Sequence, residues 1–204
     1  MSALTDALEK LNRQFDRKGL HTMEKMHPGL SRVEIAELTK PLPFALSEEA
    51  IEFFEWRNGL RNCDDWRDSL PPCFFEGYYP MTLQRAIEFY LMAVKSFSES
   101  YRIHWFPLFQ EGGGSVYCID CVEDIGTIWN YDLKPSSEEE EFGLLAFRSL
   151  TKMITTLVVC YEQDAYYWDD KGDFKIDFRK SSDIALQENP DAEYWRISVE
   201  SRSG

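Results

Sequence analysis

Leu4, Leu8, Leu11 and Phe15 recur at intervals of three or four, which places them on one face of a helix over residues 3–17 that Gly19 can end. Ser31-Arg-Val-Glu34 has the spacing in which a hydroxyl and a carboxylate each satisfy a free backbone N–H at a helix start. A short helix follows to about Thr39, where Pro41 and Pro43 stop it. Ser47, followed by Glu48 and Glu49, starts a third helix through Ile51, Phe53, Phe54 and Trp56, and Asn58-Gly59 supplies a left-handed end for it. Residues 60–80 lose this period: Asp64, Asp65, Trp66 and Asp68 precede Pro71-Pro72, predicting an irregular loop with one short strand at Cys73–Phe75. Thr82 then caps a helix whose apolar stripe is Leu83, Ile87, Tyr90, Leu91 and Val94.

From Ile103 onward the spacing becomes that of strands. Trp105–Phe109 and Ser115–Asp120 form a hairpin turning at Gly112-Gly-Gly114, and Gly126–Trp129 adds a third strand. Pro135-Ser-Ser and Glu138–Glu141 predict the start of a long helix with Leu145, Leu150, Met153, Ile154, Leu157 and Val158 as its buried stripe. Tyr166–Trp168 and Phe174–Phe178 flank Asp169–Asp173 as a last hairpin, and the tail from Glu188 is expected to be loosely held. Helices first, then strands that consecutive turns can pair, argue for an α+β fold rather than a parallel βαβ sheet.

The length of 204 residues suits a single domain over 1–204, with residues 1–40 as a helical extension and 163–204 as a hairpin and tail around a core. Charge narrows the choice of partner. Asp and Glu number 36 against 22 Lys and Arg, a net of -14, which disfavours phosphate backbones and anionic lipid. Residues 1–40 hold seven basic and six acidic side chains, so the deficit falls on the later chain, and an electrostatic partner is expected to be a basic protein that meets that part. Met1–Asp6 shows no basic or apolar leader, and no apolar run approaches the ~18 residues that span a bilayer, so the expected location is cytoplasmic. Cys63, Cys73, Cys118, Cys121 and Cys160 are odd in number and scattered, which predicts free buried thiols rather than a disulfide framework.

No residue pattern calls for catalysis. Gly112-Gly-Gly114 lacks both the third glycine of a dinucleotide site and the Gly-Lys-Ser/Thr ending of a phosphate loop. Cys118-Ile-Asp-Cys121 has metal-like spacing, but a zinc site needs four ligands and only His104 plus a distant group could complete it. His21 and His27 lie beside no nucleophile motif. Asp120 with Glu123, or Asp169 with Asp173, could be paired as acid and base, yet carboxylates are too abundant for such pairs to stand out. Asp64, Asp65 and Asp68 lack the alternate ligands and glycine of a calcium loop. The expectation is a protein without cofactor, metal or catalytic residues. Trp56, Trp66, Phe74-Phe75, Tyr78-Tyr79, Trp105-Phe106 and Trp129 exceed a minimal core, so most are assigned to packing and a few at loop tips to a partner.

Several segments, taken in order, resemble one family. Leu42-Pro43, Leu46, then Ile51, Phe53 and Phe54 ending in Trp56-Arg-Asn-Gly59, are similar to the opening of the SUKH superfamily. Tyr79-Pro-Met-Thr-Leu-Gln-Arg-Ala86 matches its second helix start, and Trp105–Phe109, Gly112–Gly114 and Tyr117-Cys-Ile-Asp120 resemble its central hairpin. The helix from about Phe142 to Tyr161 fits its last core helix, so the resemblance covers about residues 41–162. It implies a twisted, mostly antiparallel sheet flanked by helices and used for binding. Bacterial members act as immunity proteins that sit on a cognate toxin, often a basic nuclease, and fungal members are linked to cell-wall glucan synthesis and signalling. With the charge, this points to an antidote that occludes a basic toxin, the alternative being a regulatory scaffold. Asp64, Asp65, Trp66 and Asp68 in the irregular loop, with Asp120 and Glu123 after the central strand, are the expected partner-binding residues.

Overall fold

Six helices start on a side-chain cap three residues ahead of the N–H it accepts from: Ser2, Ser31, Ser47, Thr82, Ser149 and Asp177. Each hydroxyl or carboxylate satisfies one of the orphan donors of a first turn. The helices are α1 (Ala3–Arg17), α2 (Arg32–Leu38), α3 (Glu48–Trp56), α4 (Leu83–Ser96), α5 (Leu150–Glu162) and α6 (Phe178–Glu188), followed by α7 (Glu193–Ser201). At α2 the reciprocal Ser31–Glu34 pair forms as expected. The computed structural model describes residues 2–61, 74–75, 77–122, 126–132 and 143–201.

Five strands, β3 (Tyr79–Pro80), β4 (Trp105–Gln110), β5 (Val116–Asp120), β6 (Ile128–Tyr131) and β7 (Gly143–Phe147), form one antiparallel sheet in chain order. β1 (Met26–Pro28) pairs with β2 (Arg57–Leu60), and β8 (Tyr166–Trp168) with β9 (Phe174–Ile176). The architecture is α+β, as the order of elements predicts, and Gly112–Gly114 lie in the β4–β5 turn. Aromatic rings join the layers: Phe53 of α3 meets Phe109 of β4 at 5.2 Å, and Phe15 of α1 meets Tyr161 of α5 at 5.4 Å. Apolar side chains from Leu4 to Trp195 belong to one cluster.

Several local expectations are corrected. Asn58-Gly59 does not end α3, which stops at Trp56; both residues lie in β2. The buried Asn58 Oδ1 accepts the Leu83 N–H at 2.7 Å, at the start of α4. Gly59 has φ +67°, and a Cβ there would lie 2.3 Å from the Met81 carbonyl carbon, so the close crossing of two backbones requires glycine. Residues 143–147 are strand rather than helix. Leu145 pairs across from Trp129, and Ser149 resets the chain into α5, whose buried face does include Leu150, Met153, Ile154, Leu157 and Val158. Glu138–Glu141 lie outside the described residues.

Cys73 is also outside them. Phe74 and Phe75 are buried at a bend where the Phe74 N–H donates to the Tyr78 carbonyl at 2.9 Å, and strand begins only at Tyr79. On α4, Leu91 is exposed, and Ala86, Phe89 and Ala93 complete the buried face. The second arm of the last hairpin ends at Ile176 because Asp177 caps α6. The expected loose tail is helical: α7 buries Trp195, whose indole N–H donates to the Ala146 carbonyl on β7 at 2.9 Å. Among the described residues no helix is long and apolar enough to cross a membrane.

Candidate interaction face

Of the residues expected to contact a partner, Asp64, Asp65, Trp66, Asp68 and Glu123 lie outside the described residues, and Asp120 is placed. It ends β5 opposite Trp105, its N–H donates to the Thr127 carbonyl at 2.8 Å, and its Oδ1 accepts the Val122 N–H at 3.0 Å. One carboxylate oxygen therefore shapes the turn after the strand, as Asx residues do. Strand register defines the two ends of the sheet. Trp105, Asp120, Ile128 and Phe147 mark one end; Gln110, Val116, Tyr131 and Gly143 mark the other. Tyr79 pairs with Gln110, so β3 begins at the second end. Asp120 thus stands at the opposite end of the sheet from the start of β3 and from the Tyr131 and Gly143 junctions.

At the Gln110 end tyrosine hydroxyls meet side-chain amides. Gln110 Nε2 donates to the Tyr79 hydroxyl at 3.0 Å, and Asn130 Nδ2 donates to the Tyr78 hydroxyl at 2.8 Å. The Tyr78 and Tyr117 rings are 4.3 Å apart, and Tyr194 of α7 meets Tyr117 edge-on at 6.0 Å. Burial, reinforced by neighbouring Tyr194, pushes the Tyr78 hydroxyl well above its ordinary value against the pull of the Asn130 hydrogen bond. Such a phenol stays neutral and is suited to hydrogen bonding, not to proton transfer near neutral pH. Hydrophobic pattern alone could not find this cluster; buried Asn130 inside an aromatic strand was its signal.

At the Asp120 end the Arg102 guanidinium lies over the rings of Trp105 and Trp129, at 5.0 and 4.9 Å, and those rings stack 5.2 Å apart. Trp105 is buried and Trp129 half-buried. Among the described residues the most exposed aromatics are Trp168 and Phe178, which the sequence pattern does not single out for contact.

Cys118, Cys121 and Cys160 are free thiols, and burial pushes Cys118 and Cys121 up to about 12, leaving little thiolate near neutral pH. His104 meets Cys121 through its backbone carbonyl, which accepts the Cys121 N–H at 2.9 Å. Asp169 accepts the backbone N–H groups of Lys171 and Asp173, both at 2.9 Å, so this carboxylate builds the β8–β9 turn; those hydrogen bonds, Asp173's first, hold it below its ordinary value. A pocket of about 400 Å³ beside α7 carries Arg148 and Arg196, but Asp191 and Glu193 pair with them at 3.7 and 3.1 Å. Among the described residues no group of three or more His, Cys, Asp or Glu is placed to hold a metal ion.

A five-stranded antiparallel sheet with helices around it defines an α+β protein. The model of the SMI1/KNR4 family (SUKH-1) matches residues 29–156, and the chain belongs to that family. The match begins twelve residues before Pro41 and takes in α2. No curated protein matches the chain.

Proposed function

We propose that this protein works by binding, as an immunity-type antidote that captures a basic toxin and occludes it without chemistry of its own. The supporting observation is the distribution of charge. Segments 62–73, 123–125 and 133–142 together hold nine Asp or Glu against two Lys or Arg, half of the net -14 in a small part of the chain. The Tyr79 start of β3 and the Tyr131 and Gly143 strand ends lie together at the Gln110 end of the sheet. Asp64, Asp65, Trp66 and Asp68 are the proposed principal contacts, with Asp120, at the other end of the sheet, and Glu123 as further acidic contacts. Opposite charges speed encounter and select the partner, while a buried aromatic slows release.

The test is capture of a basic protein by the tagged full chain from its native host in 50 and 500 mM NaCl. Capture is expected to fall steeply with salt, because exposed charges are screened beyond ~8 Å at physiological ionic strength. It is also expected to fall when Asp64, Asp65 and Asp68 are replaced together by lysine. Capture that ignores both changes would overturn the proposal, and recovery of wall-synthesis proteins instead would favour a regulatory scaffold.

A further inference from the structure

Between α2 and α3 the surface opens into a pocket of about 240 Å³. Ile35, Leu46 and Ile51 line it with aliphatic carbon, while Ala36 and Ala45, both exposed, put only methyl groups where longer side chains would fill the space. An aliphatic cavity of about 150 Å³ suffices to hold benzene, so this pocket has room for one large apolar side chain. Val33, one turn before Ala36 on α2, is 78% exposed.

The surroundings of the pocket are anionic. Residues 31–56 hold six glutamates against Arg32 and Lys40. Arg32, at the rim, is bound by Glu48 and through its Nε by Glu55 at 3.2 Å, and Lys40 is bound by Glu37. These pairs are exposed, and exposed pairs are weak enough to exchange partners. Glu49 is turned inward, onto the start of α5. Arg32 is the one charged residue in the pocket's lining, and the carboxylates of Glu37, Glu48 and Glu55 outnumber it and Lys40 three to two around it. An apolar floor disfavours a charged group through desolvation, and that small acidic excess disfavours an acidic neighbour.

We propose that this pocket receives one aliphatic or aromatic side chain from a basic segment of the protein partner, whose flanking Lys or Arg residues meet Glu37, Glu48 and Glu55. The assignment rests on the proposed capture of a basic protein and adds an anchoring point that the charge pattern alone does not supply. A buried apolar anchor inside a charged rim is the arrangement that carries most binding energy at protein interfaces.

The experiment titrates isotope-labelled full-length protein with the peptide acetyl-Gly-Arg-Lys-Leu-Lys-Arg-Gly-amide and with its Leu→Ala counterpart, following backbone amide shifts. The leucine peptide is expected to move the Ala36, Ala45 and Ile51 signals and to bind about tenfold more tightly than the alanine peptide. Ala36→Trp, and separately Ala45→Phe, are expected to abolish those shifts; both sites are exposed, and an unchanged melting midpoint verifies the fold. Glu48→Lys with Glu55→Lys is expected to weaken both peptides. Equal binding of the two peptides, shifts that leave α2 and α3 unmoved, or an Ala36→Trp protein that binds like the parent would overturn the inference. If Ala36→Trp leaves host-partner capture intact, the pocket inference fails while the capture reading stands. If the leucine peptide seats in the pocket but no basic protein is captured, the capture reading fails and with it the partner named here, while the pocket's selection of an apolar side chain in a basic segment stands.

Discussion

Glu49, in the first turn of α3, closes the N-terminus of α5 across the molecule: its carboxylate accepts the Leu150 N–H at 2.8 Å and the Thr151 N–H at 3.2 Å. The Thr151 hydroxyl donates to the same oxygen. One side chain thus places negative charge near two helix starts at once, its own and that of α5, where Ser149 already serves the Lys152 N–H. Glu49→Ala is expected to cost about 2 kcal/mol, since the lost bonds are charge-assisted and the donors are part-buried. Glu49→Gln keeps an acceptor and is expected to lose about half as much. Urea unfolding with an unchanged slope checks both values, and equal loss in the two variants would show that the charge, not the acceptor, is what matters.

The Asn58-Gly59 pair predicts a second pattern. Asn58→Ala removes the acceptor for the Leu83 N–H in a buried setting and is expected to cost about 1–3 kcal/mol. Gly59→Ala adds a positive-φ strain to a Cβ that would lie 2.3 Å from backbone, so it is expected to be the worse of the two, at above about 3 kcal/mol. Thermal melting of both variants tests the order. A near-neutral Gly59→Ala would mean that β2 and the start of α4 can separate.

Trp195 tests whether the C-terminal helix is part of the fold. Its side chain is fully buried against Phe75 at 5.8 Å and Phe147 at 5.4 Å, and its N–H serves Ala146 on the last strand of the sheet. Trp195→Phe keeps much of the packing but drops the hydrogen bond, with an expected cost of about 1–2 kcal/mol; Trp195→Ala is expected to cost about 3–5 kcal/mol. Chemical denaturation followed by far-ultraviolet circular dichroism reads both. If Trp195→Ala melts only a minor fraction of the helix signal and leaves the main transition in place, α7 is an appendage.

Local chemistry made the helix starts legible, because a cap is a three-residue pattern: Ser31 with Glu34, Ser47 with Glu48, and Thr82 all act where the sequence placed them. The β4–β5 hairpin was legible for the same reason, its glycine turn joining two apolar runs. What failed depended on distant contacts. Asn58-Gly59 looks like a helix end until Met81 and Leu83 are seen beside it, and Gly-Leu-Leu-Ala-Phe looks helical until β6 is there to pair with it. Trp195 has few apolar neighbours in sequence, and only β7 and Phe75 show why α7 is held. Of the expected contact residues, Asp120 is placed, and its turn-forming role comes from Val122 two residues on, a local pattern distinct from its charge.

The buried thiols predict a dependence on alkaline pH. The ordinary value for both Cys118 and Cys121 is 9.0, and burial raises each to about 12. Unfolded thiols lose their protons near pH 9 while the folded ones retain them, so between these values the folded state binds more protons. The resulting contribution to stability is complete below pH 9 and declines as the pH rises, by at most about 1.4 kcal/mol per pH unit for each thiol. The fully buried Cys118 is expected to dominate, because Cys121 is only half-buried. Burial also holds Tyr78 and Tyr101 well above their ordinary value of 10.0, so those phenols add to the decline mainly above pH 10. The thiol contribution is therefore read between pH 8 and 10, from urea midpoints at half-unit steps under reducing conditions. Cys118→Ala is expected to be less stable at pH 7, through the cavity it leaves, but to lose stability with pH more slowly than the parent. Parallel slopes for the two proteins would show that the Cys118 thiol ionises in the folded state as readily as in the unfolded chain, and that the core around Tyr101 and Trp105 admits water.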